Sequence, residues 1–270
     1  MKPIANRSTI AAPMRWLGSS RRRVVMSVAV ASATLFAGNW AWRRGAAPSP
    51  ITIDLSGTAP DVAELIESAS SAVHRDPHSA PAWGRLGMAL LANQFDQEAR
   101  TCMAEAQRLD PSDPRWPYLI GCCLSRESPE SALLPLERAV AGFGELPAPR
   151  LRLAELLLSL GRLDEAEFHF QQVLELDERH SRARLGLARV ALARGDPKTA
   201  LEQVRQAEDS HWTRKAHQAV LLEIHRQMSD QPRVERAARR LAELPDDADM
   251  PDPIYDEVKT LGRGADAELL

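Results

Sequence analysis

Between about residues 60 and 244, apolar side chains recur at steps of three and four residues, which is the spacing that lines up one face of a helix. The clearest stretch is 82–111, where two apolar stripes are separated by a polar turn. Its stripe positions are Trp83, Leu86, Leu90, Ala99, Met103 and Ala106. Pro111 ends the second stripe, because a proline drives the residue before it out of the helical region. We therefore predict a pair of helices joined by a short turn.

Small residues at fixed places indicate how the two helices pack. Gly87 and Ala99 are small where their stripe neighbours are mostly large, and two helices approach closely only where side chains are short. A single pair of helices cannot bury both sides of its stripes, so it needs further pairs above and below. The sequence supplies them, since the pattern starts again at spacings of 34, 33 and 34 residues. The starting positions are Ala80, Pro114, Pro147 and Ser181.

The repeated unit, Trp83-x2-Leu86-Gly87-x2-Leu90 followed by Ala99-x3-Met103, Ala106 and Pro111, resembles the tetratricopeptide repeat. The resemblance implies an all-α fold, a right-handed α-solenoid of helix–turn–helix repeats. Residues 60–79 match the second half of a repeat and are predicted to form a capping helix. The repeats are placed at 80–113, 114–146, 147–180 and 181–214, with a degenerate repeat at 215–244 and an acidic tail at 245–270.

The charge is distributed unevenly along the chain. The first 44 residues contain eight basic side chains and no acid, which gives +8. Because the whole chain carries −3, residues 45–270 carry −11. This part has no basic surplus for a phosphate backbone, so nucleic acid is not expected as a partner.

An uncharged stretch at residues 24–42 is predicted to be a single transmembrane helix that acts as a signal anchor. Nineteen helical residues extend about 28 Å, close to the ~30 Å of a bilayer's hydrocarbon core. Six basic residues precede the stretch and two follow it, which predicts a cytoplasmic N-terminus at 1–23. The linker at 43–59 and the repeats would then lie on the extracytoplasmic, periplasm-like side.

Two other interpretations of the N-terminal region remain open. The sequence Ser20-Arg21-Arg22-Arg23-Val24-Val25 resembles a twin-arginine export signal, and Ala31-Ser32-Ala33 resembles a cleavage site. These residues make a cleaved signal peptide the alternative to the retained anchor, although Arg43 and Arg44 after the stretch are more typical of an anchor. The third interpretation is a soluble cytoplasmic chain.

The resemblance also implies a binding function, because the first helices of tetratricopeptide repeats line a concave groove that holds a protein or peptide partner. Carried onto this sequence, the groove positions are Met88, Leu91, Arg115, Tyr118, Cys122, Arg126, Leu151, Glu155, Leu158, Arg182, Leu185, Arg189 and Leu192. Apolar side chains among guanidinium groups suit an extended peptide or partner helix that carries carboxylates. The alternative is that Leu151, Leu185 and Leu192 are core residues. Gly84 and Met88 stand where some family members clamp a C-terminal carboxylate, so a chaperone tail is not implied.

No catalytic residue, metal site or cofactor is predicted. The histidines show no ligand spacing such as H-x3-H, and the chain has no P-loop, dinucleotide turn or Gly-x-Ser-x-Gly. The three cysteines, Cys102, Cys122 and Cys123, form no C-x-x-C pair. Cys122 is expected to face the groove, and Cys123 is expected to pack in the core. The chain is therefore interpreted as a membrane-anchored adaptor and not as an enzyme. A non-catalytic subunit or positioning domain of an envelope enzyme complex is the alternative.

Two expectations concern the C-terminal part of the chain. Leu221 and Leu222 place large residues where the repeat needs small ones, so self-assembly into a homodimer through the last repeat is a further alternative. In the tail, Ile254, Val258 and Leu261 form one short apolar stripe, which predicts either a helix lying on the last repeat or a disordered segment. The acidic stretch 246–257 also suggests that the tail reaches the arginines of the chain's own groove.

Overall fold

The apolar stripes of the sequence become helices that pack in consecutive antiparallel pairs. A computed structural model describes residues 51–207 and 211–262, and within these ranges the regular structure is entirely helical. In chain order the helices are α1 (Pro60–Arg75), α2 (Ala80–Ala92), α3 (Asp96–Leu109), α4 (Arg115–Glu127), α5 (Pro129–Phe143), α6 (Pro147–Ser159), α7 (Leu163–Leu176), α8 (Ser181–Ala193), α9 (Pro197–Gln206), α10 (Arg214–Gln227), α11 (Gln231–Glu243) and α12 (Pro253–Gly262). This confirms the predicted all-α repeat solenoid.

The pairs are α2 with α3, α4 with α5, α6 with α7, α8 with α9 and α10 with α11, preceded by α1. Each second helix also packs on the first helix of the next pair. First helices of successive pairs touch one another from α4 through α6 and α8 to α10. The first helices therefore form the inner layer of the stack, and the second helices form the outer layer.

The turn inside each pair follows one pattern. Gln94, Gly161, Gly195 and Ser229 occupy the matching turn position in four pairs, and all four have positive φ angles of 67°, 73°, 77° and 56°. The left-handed backbone reverses the chain within a few residues. In the remaining pair only Ser128 separates α4 from α5, so the turn is shorter there, as the 33-residue spacing predicts.

The small residues of the repeat are required by close helix contacts. A Cβ atom on Gly87 would lie 2.9 Å from Cγ of Met103 and 3.2 Å from the carbonyl oxygen of Ala99. A Cβ atom on Gly186 would lie 2.3 Å from the buried ring of Phe170. Real Cβ atoms essentially never come within 3.0 Å of another heavy atom, so Met103 on α3 and Phe170 on α7 pack this closely because Gly87 and Gly186 carry no side chain.

The core is continuous through most of the stack. One apolar cluster extends from α1 to one face of α8, and a second cluster extends from the other face of α8 to α10. Part of the predicted linker contributes to the first cluster, because Ile51, Ile53 and Leu55 pack against it half-buried. The first cluster also includes Ile254 and Val258 of α12. The C-terminal helix is thus part of the folded structure.

The position of α12 corrects one expectation. Its helical form matches the apolar stripe of the tail, but α12 packs against α2 in the first pair and not on the last repeat. The reason is that Ile254 and Val258, which are 5% and 1% exposed, find apolar partners in the first cluster. The chain therefore returns from the last pair to the first.

The predicted N-terminal elements, residues 1–23 and the transmembrane helix at 24–42, lie outside the ranges that the structure describes. Within those ranges, no helix combines the length and the apolar character needed to cross a membrane.

Candidate functional site

The inner layer of the stack and the returning chain meet in one place. The inner groove is the surface of α2, α4, α6 and α8 that faces α12 and the cavities beside α12. The tail segment is residues 245–262. The tail segment runs along the groove opposite to the order of the repeats. Its first residues contact the start of α10, its middle contacts α4, and its helix packs on α2.

The start of α10 is held by two aspartates of the tail segment. The carboxylate of Asp247 accepts hydrogen bonds from the backbone N–H groups of Lys215, at 2.6 Å, and Ala216, at 2.8 Å. Unpaired N–H groups at a helix start favour such an anion. The ammonium of Lys215 pairs with Asp246 at 2.5 Å and lowers the pKa of that carboxyl. The N-cap residue Thr213 makes no side-chain capping bond to α10, and the tail segment supplies that cap.

A buried aspartate joins the tail segment to the centre of the groove. Asp252 is only 6% exposed, and its carboxylate accepts a hydrogen bond from the hydroxyl of Tyr118, which is fully buried on α4. The same carboxylate caps α12 by accepting the backbone N–H groups of Ile254 and Tyr255 at 3.2 and 3.1 Å. Three donors therefore compensate for taking this charge out of water.

Arg152 on α6 provides positive charge next to this contact. Burial acts to lower the pKa of its guanidinium, but the neighbouring Cys122, Tyr118 and Glu155 outweigh burial and raise it. Arg152 lines the same cavity as Asp252. Sequence reasoning missed Arg152, although it stands three residues before the predicted Glu155 and therefore shares its helix face.

Cys122 lies half-buried beside the same network. Burial, with the nearby Asp252 adding to it, raises the pKa of its thiol to about 12, so the thiol is protonated at neutral pH. Cys123 and Cys102 are buried in the core. Both Cys122 and Cys123 line a cavity beside α12.

Ion pairs account for three more of the predicted groove residues. Arg115 at the start of α4 pairs with Asp113 at 2.7 Å and with Glu257 of the tail segment at 3.5 Å. On the neighbouring helices, Arg182 pairs with Glu155 at 2.6 Å. Of these charges, Arg115 is the one that contacts the tail segment directly.

The remaining predicted groove residues differ in exposure. Met88, Leu91 and Leu151 are buried, and Leu158 is half-buried. Arg126 and Arg189 are exposed on α4 and α8. Leu185 and Leu192 lie in the second apolar cluster, where Leu185 is 1% exposed and offers no surface to the groove. For these two leucines the core interpretation describes their positions.

Two cavities remain beside α12. One has a volume of about 640 Å³ and lies between α2, α4 and α12, where Leu91, Cys122 and Arg126 face Tyr255 and Val258. The other, of about 440 Å³, lies between α6, the start of α8 and the tail segment. Its wall includes Leu151, Arg152, Arg182, His180 and Trp212. The tail segment therefore occupies the groove without filling it.

The other sites considered from the sequence are a metal site and a dimer surface on the last repeat. Within residues 51–207 and 211–262, no group of three or more His, Cys, Asp and Glu side chains is arranged to hold a metal ion. Near the last repeat, Leu222 is buried and Leu221 is half-buried against the second cluster. In the described ranges, α11 carries none of the exposed large apolar side chains. These side chains are Leu134, Phe168, Leu176 and Met228.

Comparison with known proteins shows similarity in sequence and in fold. The family model for the tetratricopeptide repeat matches residues 66–114 and 151–214. BBSome complex member BBS4 of Xenopus tropicalis is 29% identical over 133 residues, which are 49% of this chain and 26% of that protein. The chain thus spans about a quarter of that relative's length.

Two solved structures illustrate the likeness in fold. A tetratricopeptide repeat protein from Parabacteroides merdae superposes with a TM-score of 0.61 at 17% identity, covering 77% of this chain and 81% of that one. YrrB, described as a tetratricopeptide repeat protein with an unusual peptide-binding site, superposes with a TM-score of 0.51 at 22% identity. That match covers 68% of this chain and 87% of YrrB.

Proposed function

We propose that this chain is a tetratricopeptide repeat scaffold that binds a protein partner through the inner groove. Tetratricopeptide repeats are typical of scaffolds that bind proteins or peptides, and YrrB, which shares the fold, has a peptide-binding site. The chemistry of this chain supports binding over catalysis. The polar groups that meet in the groove are tied up in hydrogen bonds and ion pairs, and Cys122 is kept protonated by its raised pKa.

The observation that carries the proposal is that the groove already holds a peptide segment. Tyr118 and Arg115 on α4 engage two carboxylates of the tail segment, while Ile254 and Val258 bury their side chains in the first apolar cluster. Charge-assisted hydrogen bonds set the register and apolar burial contributes affinity. A surface that binds an acidic amphipathic segment of its own chain has the chemistry to bind such a segment of a partner.

Site-specific crosslinking tests this proposal. A photoreactive amino acid is placed at Arg126 or Arg189, which are exposed on the inner layer, and in matched control proteins at Leu134 or Phe168, which are exposed on the outer layer. We expect illumination of intact cells to attach one discrete protein to the inner positions and not to the outer ones. Equal labelling from both layers, or none from either, would contradict a binding role for the groove.

The membrane location belongs to the same proposal. We infer that residues 24–42 anchor the scaffold and that the repeats lie on the extracytoplasmic side, which is supported by the uncharged stretch and by the excess of basic residues before it. Changing Val28 and Val30 to Arg is expected to move most of the protein from the carbonate-washed membrane pellet to the soluble fraction. A matched Ser8→Arg and Thr9→Arg variant should stay in the pellet. If the unmodified chain is itself soluble, the anchor is wrong.

A further inference from the structure

The tail segment contributes Ile254 and Val258 to the first apolar cluster, but it also has features of a bound ligand. Its helix α12 has only ten residues, and helices of this length are marginal in water without tertiary contacts. It is joined to α11 by residues 244–252, which contain no regular structure. The conformation of α12 is therefore imposed by the groove in which it lies.

The surroundings of α12 also resemble those of a bound ligand. Open clefts of about 640 and 440 Å³ lie on two sides of the tail segment, so α12 is bordered by solvent-accessible space on both sides. The ion pairs of the tail segment with Arg115 and Lys215 are partly exposed to solvent. Exposed pairs contribute little to stability. The docking therefore depends mainly on the buried side chains of Asp252, Ile254 and Val258.

The strong contacts of the tail segment form a short recognition pattern. Asp252 accepts from Tyr118 and caps the helix, and Ile254 and Val258, two and six residues later, enter the first apolar cluster. Glu257, five residues after Asp252, reaches Arg115. The helical spacing places Ile254 and Val258 on one face, since they are four residues apart.

We propose that the tail segment is an internal ligand and that the partner presents the same pattern in place of it. The partner segment carries an aspartate that caps a short helix, apolar residues two and six positions later, and an acidic residue five positions later. Partner and tail segment compete for Tyr118, Arg115 and the apolar cleft, so the free protein holds its groove closed. This inference rests on the proposed function, because it uses the groove as the binding surface.

Intramolecular attachment explains why the groove is occupied in the isolated chain. A segment on a short linker is present at a high effective concentration, commonly millimolar, and it outcompetes a free copy of itself. The partner must therefore bind tighter than the tail segment or be tethered nearby. Weakening the attachment of the tail segment should open the groove to a peptide of the same sequence.

The test uses the full chain and a labelled peptide of residues 249–262 in fluorescence anisotropy. The variant Val258→Asp places a carboxylate at a side chain that is 1% exposed, and the matched control Thr260→Asp places the same group at an exposed position of α12. We expect Val258→Asp to bind the peptide at least tenfold tighter than the unmodified chain and Thr260→Asp. A peptide carrying Asp252→Asn should bind at least tenfold more weakly than the original.

Two outcomes would overturn the inference: equal peptide affinity in all three proteins, or no binding to any of them, which would make α12 a permanent structural cap. If Val258→Asp loses its helical circular dichroism, Asp252→Asn in the full chain replaces it, because it removes the buried charge that Tyr118 and the start of α12 share. The crosslinking experiment separates the two proposals. If a partner is captured at Arg126 or Arg189 but the peptide does not bind, the scaffold role stands and the internal ligand is rejected. If the peptide binds but no partner is captured, the internal ligand stands and the scaffold role is rejected.

Discussion

Replacing Phe170 with alanine is expected to lower the free energy of unfolding by about 3–5 kcal/mol, the usual cost of removing a buried phenylalanine ring. Phe170 is fully buried on α7, and its ring fills the space that Gly186 leaves on α8. No side chain at Gly186 can move into the vacated space, so a cavity remains between the third and fourth pairs. Urea denaturation followed by circular dichroism measures the loss.

Phe168 provides the matched control, because it stands two residues away on the same helix and is 55% exposed. Phe168→Ala should change the free energy of unfolding by less than about 0.5 kcal/mol, as surface substitutions generally do. In a solenoid each repeat is stabilised mainly by its neighbours, so the Phe170→Ala loss should also appear as faster hydrogen exchange in α7 and α8. Similar losses from the two variants would mean that α7 does not pack through the Phe170 face.

The repeat fold was predictable because its causes are local and repeated. Gly87 is small because Met103 packs on it within the same pair, and the same requirement recurs down the chain. A missing residue in one turn shifts the pattern by one position without hiding it, as the single-residue turn at Ser128 shows. Each repeat thus gives independent support for the same register.

The groove was predictable only in part, because a leucine on a first helix has two environments available. Leu185 faces the next pair and is buried in the second cluster, whereas Leu151 lines the cavity of about 440 Å³. Both positions fit the same helical stripe in the sequence. Which of the two environments applies depends on how closely successive first helices approach, and this distance is set by side chains from three helices at once.

The position of the tail segment could not be derived from periodicity at all. The bond between Tyr118 and Asp252 joins residues 134 positions apart, and no spacing rule connects them. Complementary charge did suggest that the acidic stretch could reach the groove arginines, and Arg115 with Glu257 is such a pair. The apolar contact that places α12 on the first pair needed the three-dimensional arrangement of the stack.

Release of the tail segment by Val258→Asp is expected to raise the rate at which a thiol reagent modifies Cys122 at pH 8 by at least about tenfold, the factor that 1.4 kcal/mol of lost docking free energy represents. Cys122 shares a cavity wall with Tyr255 and Val258, so the docked tail segment restricts access to it. Cys102 is fully buried in the core, does not line this cavity and supplies the slow baseline. Mass spectrometry of the labelled peptides assigns the modified cysteine.

The pH dependence of the same reaction distinguishes a covered thiol from a merely crowded one. Burial raises the pKa of Cys122 to about 12, and a raised pKa keeps the thiol protonated, so the rate in the unmodified chain should climb about tenfold per pH unit and show no plateau up to pH 10. With the tail segment released, the pKa falls toward the ordinary value of about 8.5, and the rate should level off above about pH 9. Thr260→Asp, exposed on the same helix, should keep the profile of the unmodified chain. A plateau near pH 9 in the unmodified chain would show that Cys122 is already open to solvent and that α12 does not cover it.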